Sequence, residues 1–483
     1  MMITQKEKES KRVMKKHIAA LITLCFVLPI FTMTPAQCRQ KASKTQQETK
    51  NRLEYLNLNW WEKYNDPILT GHLQELYEKN YDLKIAALKV KEGEKLVKIS
   101  FANELPQISF DGTLGRTMRS SNQQFGSMMI PSYAQWGYQL PFTASYEIDI
   151  WGENRLKTKS VEKQLEIIKQ EERASYIALT SAFAANYFNL IKSDKLIEIQ
   201  KEIIATQQEI VKKTQKKFEN GLCSINEVLE EEKLLTSQKE ALNAFENTKT
   251  LLENQLKTYL SDSNSSIKRA NAGDLNILQN IPTQIDSSIV ENRPDYLEAE
   301  SNIKRIGYDV RIAKKEFLPK FLIYGQLGFN AYDWGKMFNS YSQLANAGIM
   351  PSFDLFSGGR KMAVLKLKKY QYEEAMHSYQ KTILTGIQEI NDADARYKTD
   401  LKNYKESLER YSIEKQKYTL MEHKNAIGAA SNLDVLYNKE QLLITQRDET
   451  ANKINCIIST IGLYKAVGGQ DISKSTNSVP TNL

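Results

Sequence analysis

The chain has 483 residues, 26% of them charged and 41% hydrophobic, with a formal net charge of +8. Residues 1–38 carry six Lys or Arg against two Glu, so +4 sits in that segment and only +4 in the rest, where signs alternate as at Lys91, Glu92, Glu94 and Lys95. That pattern reads as solvated helix surface, and no nucleic-acid partner is expected, because grip on phosphates needs basic residues massed on one face.

Enzyme chemistry is equally hard to place. His72, His377 and His423 are scattered with no HExxH, and no phosphate-cradling G-x-x-x-x-G-K-[ST] loop occurs. Ser357 precedes Gly358 and Gly359 without the flanks of a nucleophile elbow. No catalytic residue, cofactor or metal site is expected.

The N-terminus joins a basic stretch (Lys11, Arg12, Lys15, Lys16) to an apolar run over 18–31 and then to Thr34, Pro35 and Ala36. This is the order of a secretory signal peptide, placed at 1–37 and too short for a membrane span. No later run is long and apolar enough to span as a helix, so membrane insertion would be by β-strands or lipid. Cys38 allows two readings: a lipid-modified N-terminal cysteine, or ordinary cleavage after Ala36, with Gln37 a poor neighbour for acylation. Cys223 and Cys456 fall too far apart to pair.

Residues 38–104 hold the first helices and end at Leu105 and Pro106. Proline stops a helix and suits the start of a strand. Strands follow over 105–152: Ile108, Phe110 and Leu114 alternate with Gln107, Ser109, Asp111 and Thr113, and Trp136, Tyr138, Leu140, Phe142 and Ala144 alternate with Gln135, Gln139, Thr143 and Ser145. A polar loop is expected at roughly 117 to 133, and a bulge or bend at Pro141. From 153 to 260 the composition turns helical without proline. After a connector and helix over 261–317, the plan repeats: Leu318 and Pro319, strands within 318–358 with a loop at 333 to 343 and a break at Pro351, then helices over 359–468. A polar tail over 469–483 closes the chain.

The second half copies the first at an offset of 207. Gly221, Ser224, Glu227, Val228 and Leu229 recur as Gly428, Ser431, Asp434, Val435 and Leu436, and the seven-spaced ladder Tyr176, Phe183, Leu190, Ile197, Ile204, Val211, Phe218 as Ile383, Ile390, Tyr397, Tyr404, Tyr411, Tyr418. Two tandem repeats follow, each a strand pair feeding a helical hairpin about 100 Å long. Sevenfold ladders mark packing seams. Gly221 and Gly428 suit the end of the outgoing helix, and Ser224 and Ser431 cap the returning one.

Four amphipathic strands per chain leave two open edges, which a bilayer forbids. Two chains would give eight strands with a filled interior, and three give twelve around water; a polar inner face favours the trimer. A soluble sandwich with a coiled-coil arm, as in a secreted structural or adaptor protein, explains the alternation but not the leader.

Several segments resemble the outer-membrane efflux proteins, the TolC-like family, in its multidrug (NodT-like) branch. They are Trp60 and Trp61 with Asp66, Pro67 and Leu69; Glu291, Asn292, Arg293, Pro294 and Asp295 with Ala299 and Glu300; Phe353 through Arg360; and Leu433 through Leu436. The resemblance implies an α+β membrane protein in which a trimeric 12-stranded β-barrel in the outer membrane continues into a 12-helix periplasmic α-barrel. It implies a channel-tunnel fed by an inner-membrane RND-type pump through a periplasmic adaptor; a conduit for type I protein secretion is the alternative. It makes the hairpin turns the periplasmic gate, with Asp434 in a carboxylate ring and Glu227 an acidic tip residue. A second ring in some members falls here at Tyr437, and a linking basic residue at Ala430. The bland reading of Asp434, a helix cap, stands beside the ring.

Overall fold

The computed structural model describes residues 60–470 apart from 121–123, 126–127, 130–132, 265, 276 and 278–286. The expected signal peptide, Cys38, and the expected tail beyond 470 lie outside the described residues.

Asp66 starts the first helix: its carboxylate accepts from the amides of Ile68 and Leu69 at 2.9 and 3.0 Å, with Pro67 at the first helical position, opening α1 (Pro67–Lys79). Asn80 caps α2 (Tyr81–Ala102) in the same way, through the amide of Leu83. Beyond Pro106 the chain becomes extended. β1 (Gln107–Phe110) and β2 (Thr113–Arg119) lie along β5 (Tyr133–Glu147), with a short hairpin of β3 (Gln124–Phe125) and β4 (Met128–Met129) inside the segment expected to be a loop. β6 (Lys320–Ala331) and β7 (Gln343–Ser352) complete an antiparallel sheet ordered β1/β2, β5, β6, β7.

The prolines do not produce the bulge expected of them. Gln107 pairs with Ser145 on one side of Pro141 and Thr113 with Gln139 on the other, a constant register, and Pro351 pairs with Phe321 in step with its neighbours. Pro141 has no N–H to give, and the ladder gap between β1 and β2 lies opposite it, while its carbonyl still accepts from the amide of Asp111 at 3.2 Å. Gly328 is its partner on β6, where any Cβ would collide with the carbonyl of Leu140. Pro351 sits on the edge strand, the position a sheet tolerates.

Because the register never slips, the apolar alternation of all four strand positions, with β1 and β2 sharing one, falls on one face. Phe110, Phe142, Leu327 and Ala345 form one rung across the sheet, and Ile108, Ala144, Gly325 and Ala347 the next. That face is bare: Ile108 is 77% exposed, Leu327 65% and Ile349 64%. The opposite face carries Ser109, Thr143, Gln326 and Asn346, the last two hydrogen-bonded at 2.9 Å.

Each strand pair exits through left-handed glycines, Gly152 at φ 69° and Gly359 at φ 81°, into a long helix. α3 (Glu153–Glu219) and α6 (Arg360–Ala426) have 67 residues each, about 100 Å. Their returning partners α4 (Ile225–Tyr259) and α7 (Asn432–Ala466) have 35 each, so both hairpins begin and end 207 positions apart. A shorter helix, α5 (Pro294–Lys315), precedes β6.

α3 packs against α2 and α4 on one flank and against α5 and α7 on the other, and α6 packs on α5 and α7. Burial follows from that position. Twenty-seven of 67 residues of α3 are buried but only five of 67 in α6 and two of 35 in α4, so α4 and α6 are edge helices of an open layer. The sevenfold ladder matches α3 as far as Ile197; farther along, Ile204 and Val211 are half-buried and Phe218 exposed, while Gln200, Ile203, Gln207, Ile210 and Thr214 are buried. A helix with neighbours on both flanks buries a wider arc than an apolar stripe marks. In α6 the ladder is covered along its length without being enclosed: Ile390 and Tyr397 are buried and Ile383, Tyr404, Tyr411 and Tyr418 half-buried, which supports packing for the tyrosine strip. Among the described residues, no helix is long and apolar enough to cross a membrane.

Short and long helices are spliced end to end, once in each half. Asn80, the cap of α2, donates from Nδ2 to the carbonyl of Tyr259, the last residue of α4, at 2.8 Å. Arg293, the cap of α5, donates from a terminal nitrogen to the carbonyl of Ala466, the last residue of α7, at 2.6 Å. Beside these junctions lies an aromatic and apolar core: Trp60 stacks on Tyr464 at 5.3 Å, Tyr64 meets Phe188 at 5.3 Å, and Leu69, Leu73 and Leu76 are fully enclosed.

Candidate functional site at the hairpin tips

Both tips turn on a glycine in the left-handed region, Gly221 at φ 71° and Gly428 at φ 74°. The amide of Leu222 donates to the carbonyl of Lys217, and that of Ala429 to Lys424, each at 2.8 Å, so the last carbonyls of α3 and α6 are satisfied by the turn itself. No atom crowds either glycine, and the requirement is purely conformational. Gly428→Ala is expected to lose about 1 kcal/mol of tip stability, read as earlier cleavage at the turn in a limited-proteolysis time course.

The returning helices begin with matching capping boxes. In the first, Ser224 Oγ accepts from the amide of Glu227 at 3.4 Å and Glu227 Oε1 accepts from the amide of Ser224 at 3.1 Å. In the second, Ser431 Oγ accepts from the amide of Asp434 at 3.1 Å, and Asp434 Oδ2 accepts from the amide and hydroxyl of Ser431 at 2.9 and 2.7 Å. These bonds, with Lys217 nearby, hold the Asp434 carboxyl below the usual carboxylate range. Asp434 therefore caps α7, and Glu227 α4, within a single chain, and both remain exposed. At Ala430 only the backbone takes part, its carbonyl accepting from Asn425 Nδ2 at 2.9 Å.

Behind the tips lies a polar ladder that sequence reasoning missed. Gln207 on α3 is fully buried and donates from Nε2 to both the carbonyl and the carboxylate of Glu231 on α4, at 3.1 and 2.6 Å. Seven residues back, buried Gln200 repeats the contact with Gln238, also seven residues along, at 3.0 and 2.7 Å. The second hairpin joins both rungs: Tyr437 Oη donates to Glu231 at 2.6 Å, and Arg447 donates to Gln200 Oε1 at 3.1 Å. Burial and then Glu231 raise the Tyr437 hydroxyl, keeping it protonated as a donor. Glu440, one turn along α7 and 3% exposed, faces the same Glu231; burial first and that like charge second push its carboxyl up to about 7. The available signal was glutamines at heptad spacing beside an apolar ladder, which a search for apolar periodicity discards.

A lipid-compatible sheet continued by paired, cross-linked helical hairpins defines a protein of the outer-membrane channel class. The chain belongs to the outer membrane efflux protein family, whose profile matches residues 72–261 and 287–469. The probable efflux pump outer membrane protein TtgC of Pseudomonas putida is 25% identical over 422 residues, covering 85% of this chain and 84% of that protein. The cation efflux system protein CusC of Escherichia coli O157:H7 is 24% identical over 459 residues, covering 94% and 97%. The crystal structure of the Campylobacter jejuni CmeC outer membrane channel superposes with a TM-score of 0.76 at 24% identity, covering 86% and 90%. The chain is an outer-membrane efflux protein.

Proposed function

We propose that three copies of this chain close into one channel-tunnel, a twelve-stranded barrel in the outer membrane continued by a twelve-helix periplasmic barrel, each copy built as two tandem repeats. The observation that carries this reading is the matched set of open edges. Among the described residues, β1/β2 and β7 have unpaired outer edges beside a bare apolar face, and α4 and α6 are nearly unburied on the same two sides of the layer. Lipid forbids an unpaired strand edge, so the sheet is completed by other copies, and the helices beneath close with it.

The tunnel conducts passively and takes small toxic molecules from an inner-membrane pump of the RND type through a periplasmic adaptor that docks at the tips. Relatives named for efflux of toluene, antibiotics and cations favour small molecules over protein cargo. At the tips, three copies of Asp434 form a ring, with Glu227 on the neighbouring turns; the bonds from Ser431 hold each Asp434 carboxyl below the usual carboxylate range, so it is charged and attracts cations. Purified trimer in planar bilayers tests this. Asp434→Asn is expected to reduce cation preference and change conductance; unchanged currents would leave Asp434 a cap alone. Negative-stain images lacking threefold rods would overturn the assembly.

A further inference from the structure

The segment between β6 and β7 does not stand off the end of the sheet. Phe338 lies 5.4 Å from Phe329, two residues back along β6; Trp334 lies 5.4 Å from Tyr138 and 6.1 Å from Phe338; and Met337 is fully buried. By register, Tyr138 pairs with Ala331 and Leu140 with Phe329, so both anchoring rings belong to the apolar face. The segment is therefore folded down over that face, at the end of the sheet remote from α3. It still leaves Trp334 52%, Phe338 50% and Tyr341 95% exposed.

At the same level Arg116 pairs with Trp136 on the apolar face and holds its guanidinium 6.0 Å from the indole centre. Beyond this level, among the described residues, only the first hairpin continues, its pairing running on to Arg119 and Tyr133, about 17 Å past Tyr138. Aromatic rings with polar edges and a cation, collected at the end of an apolar band, match the composition of a bilayer interface. A loop serving water would have no reason to keep its rings uncovered on this side.

We propose that residues 332–342 form a membrane anchor lying at the headgroup and acyl-chain boundary of the outer leaflet, with Trp334 and Phe338 inserted beside Trp136 and Arg116 reaching lipid phosphates. The inference rests on the apolar face being turned to lipid. It makes the segment part of the outer wall and not a cover for the channel mouth.

Tryptophan quenching in the full-length protein, reconstituted in phosphatidylethanolamine and phosphatidylglycerol vesicles containing lipid brominated near the headgroup end of its chains, tests this. Trp60 and Trp61 are enclosed, whereas Trp136, Trp151 and Trp334 are exposed. Trp334→Phe is expected to remove roughly a third of the bromolipid-quenched emission, as equal interfacial indoles predict, and to leave quenching by aqueous iodide unchanged. Loss of iodide quenching with bromolipid quenching intact would place the segment in water and overturn the proposal. If Trp136→Phe also leaves bromolipid quenching intact, the lipid-facing sheet fails with it, which separates the two failures.

Discussion

Replacing Arg293 with methionine is expected to destabilise the chain by about 3 kcal/mol, at the low end of the range for breaking a buried charged cluster. Arg293 is 7% exposed and its guanidinium serves three partners at once: the carbonyl of Ala466 at 2.6 Å, Asp295 at 2.7 Å and Glu389 at 2.5 Å. It thereby joins the start of α5, the end of α7 and the middle of α6. Removal leaves the Ala466 carbonyl without this donor in a crowded place, where a Cβ added at Gly468 would stand 3.2 Å from the Arg293 Cα. Asp295 and Glu389 are half-exposed and can rehydrate, which limits the loss. Arg293→Lys should not rescue it, because one ammonium cannot span three acceptors held by a planar fork. Asn80→Ala, at the equivalent neutral splice, is expected to cost only about 1 kcal/mol. Loss of helical circular dichroism on heating in detergent measures all three, and equal effects at the two splices would refute the charged-clamp account.

The second large effect depends on pH. The Glu440 carboxyl is raised from 4.5 to about 7, so the folded chain holds a proton there that the unfolded chain has released. The sign follows directly: between about pH 4.5 and 7 the folded state binds more protons, and stability from this group falls as pH rises. The penalty is complete above pH 8 and amounts to about 3 kcal/mol per chain. Glu440→Gln is therefore expected to raise the melting temperature at pH 8 and to match the wild type near pH 4.5. A difference that stays constant across that range would show that ionisation of Glu440 is not its source. Asp434 cannot imitate the effect, because its carboxyl is shifted the opposite way and titrates in acid.

These two residues also show where sequence legibility stopped. Arg293 was visible as part of a family-like segment, yet its partner Ala466 lies 173 positions away and carries no side-chain signal, only a carbonyl. Nothing local in the sequence distinguishes Glu440 from a helix-surface carboxylate. What buries it is α3 and α4 converging behind the tip, where Gln207 has already fixed Glu231. The tips themselves were legible residue by residue: Gly221, Ser224 and Glu227, and Gly428, Ser431 and Asp434, perform capping tasks set within three or four positions. Whether Asp434 also faces an axis depends on neighbouring copies.

Local chemistry, then, was written in the order of residues. Alternation with period two marked the strands and their apolar face, glycine and serine marked the turns, and the 207-residue offset set hairpins of equal length. Only the folded chain decided which elements meet: the unbroken register past Pro141, the ladder of Gln200 and Gln207 onto α4, the helix splices at Asn80 and Arg293, and the side of the sheet to which residues 332–342 turn. The physical reason is range. Backbone preference and capping act over a few residues, whereas burial and pairing depend on groups brought together from hundreds of positions apart, whose identity no short window records.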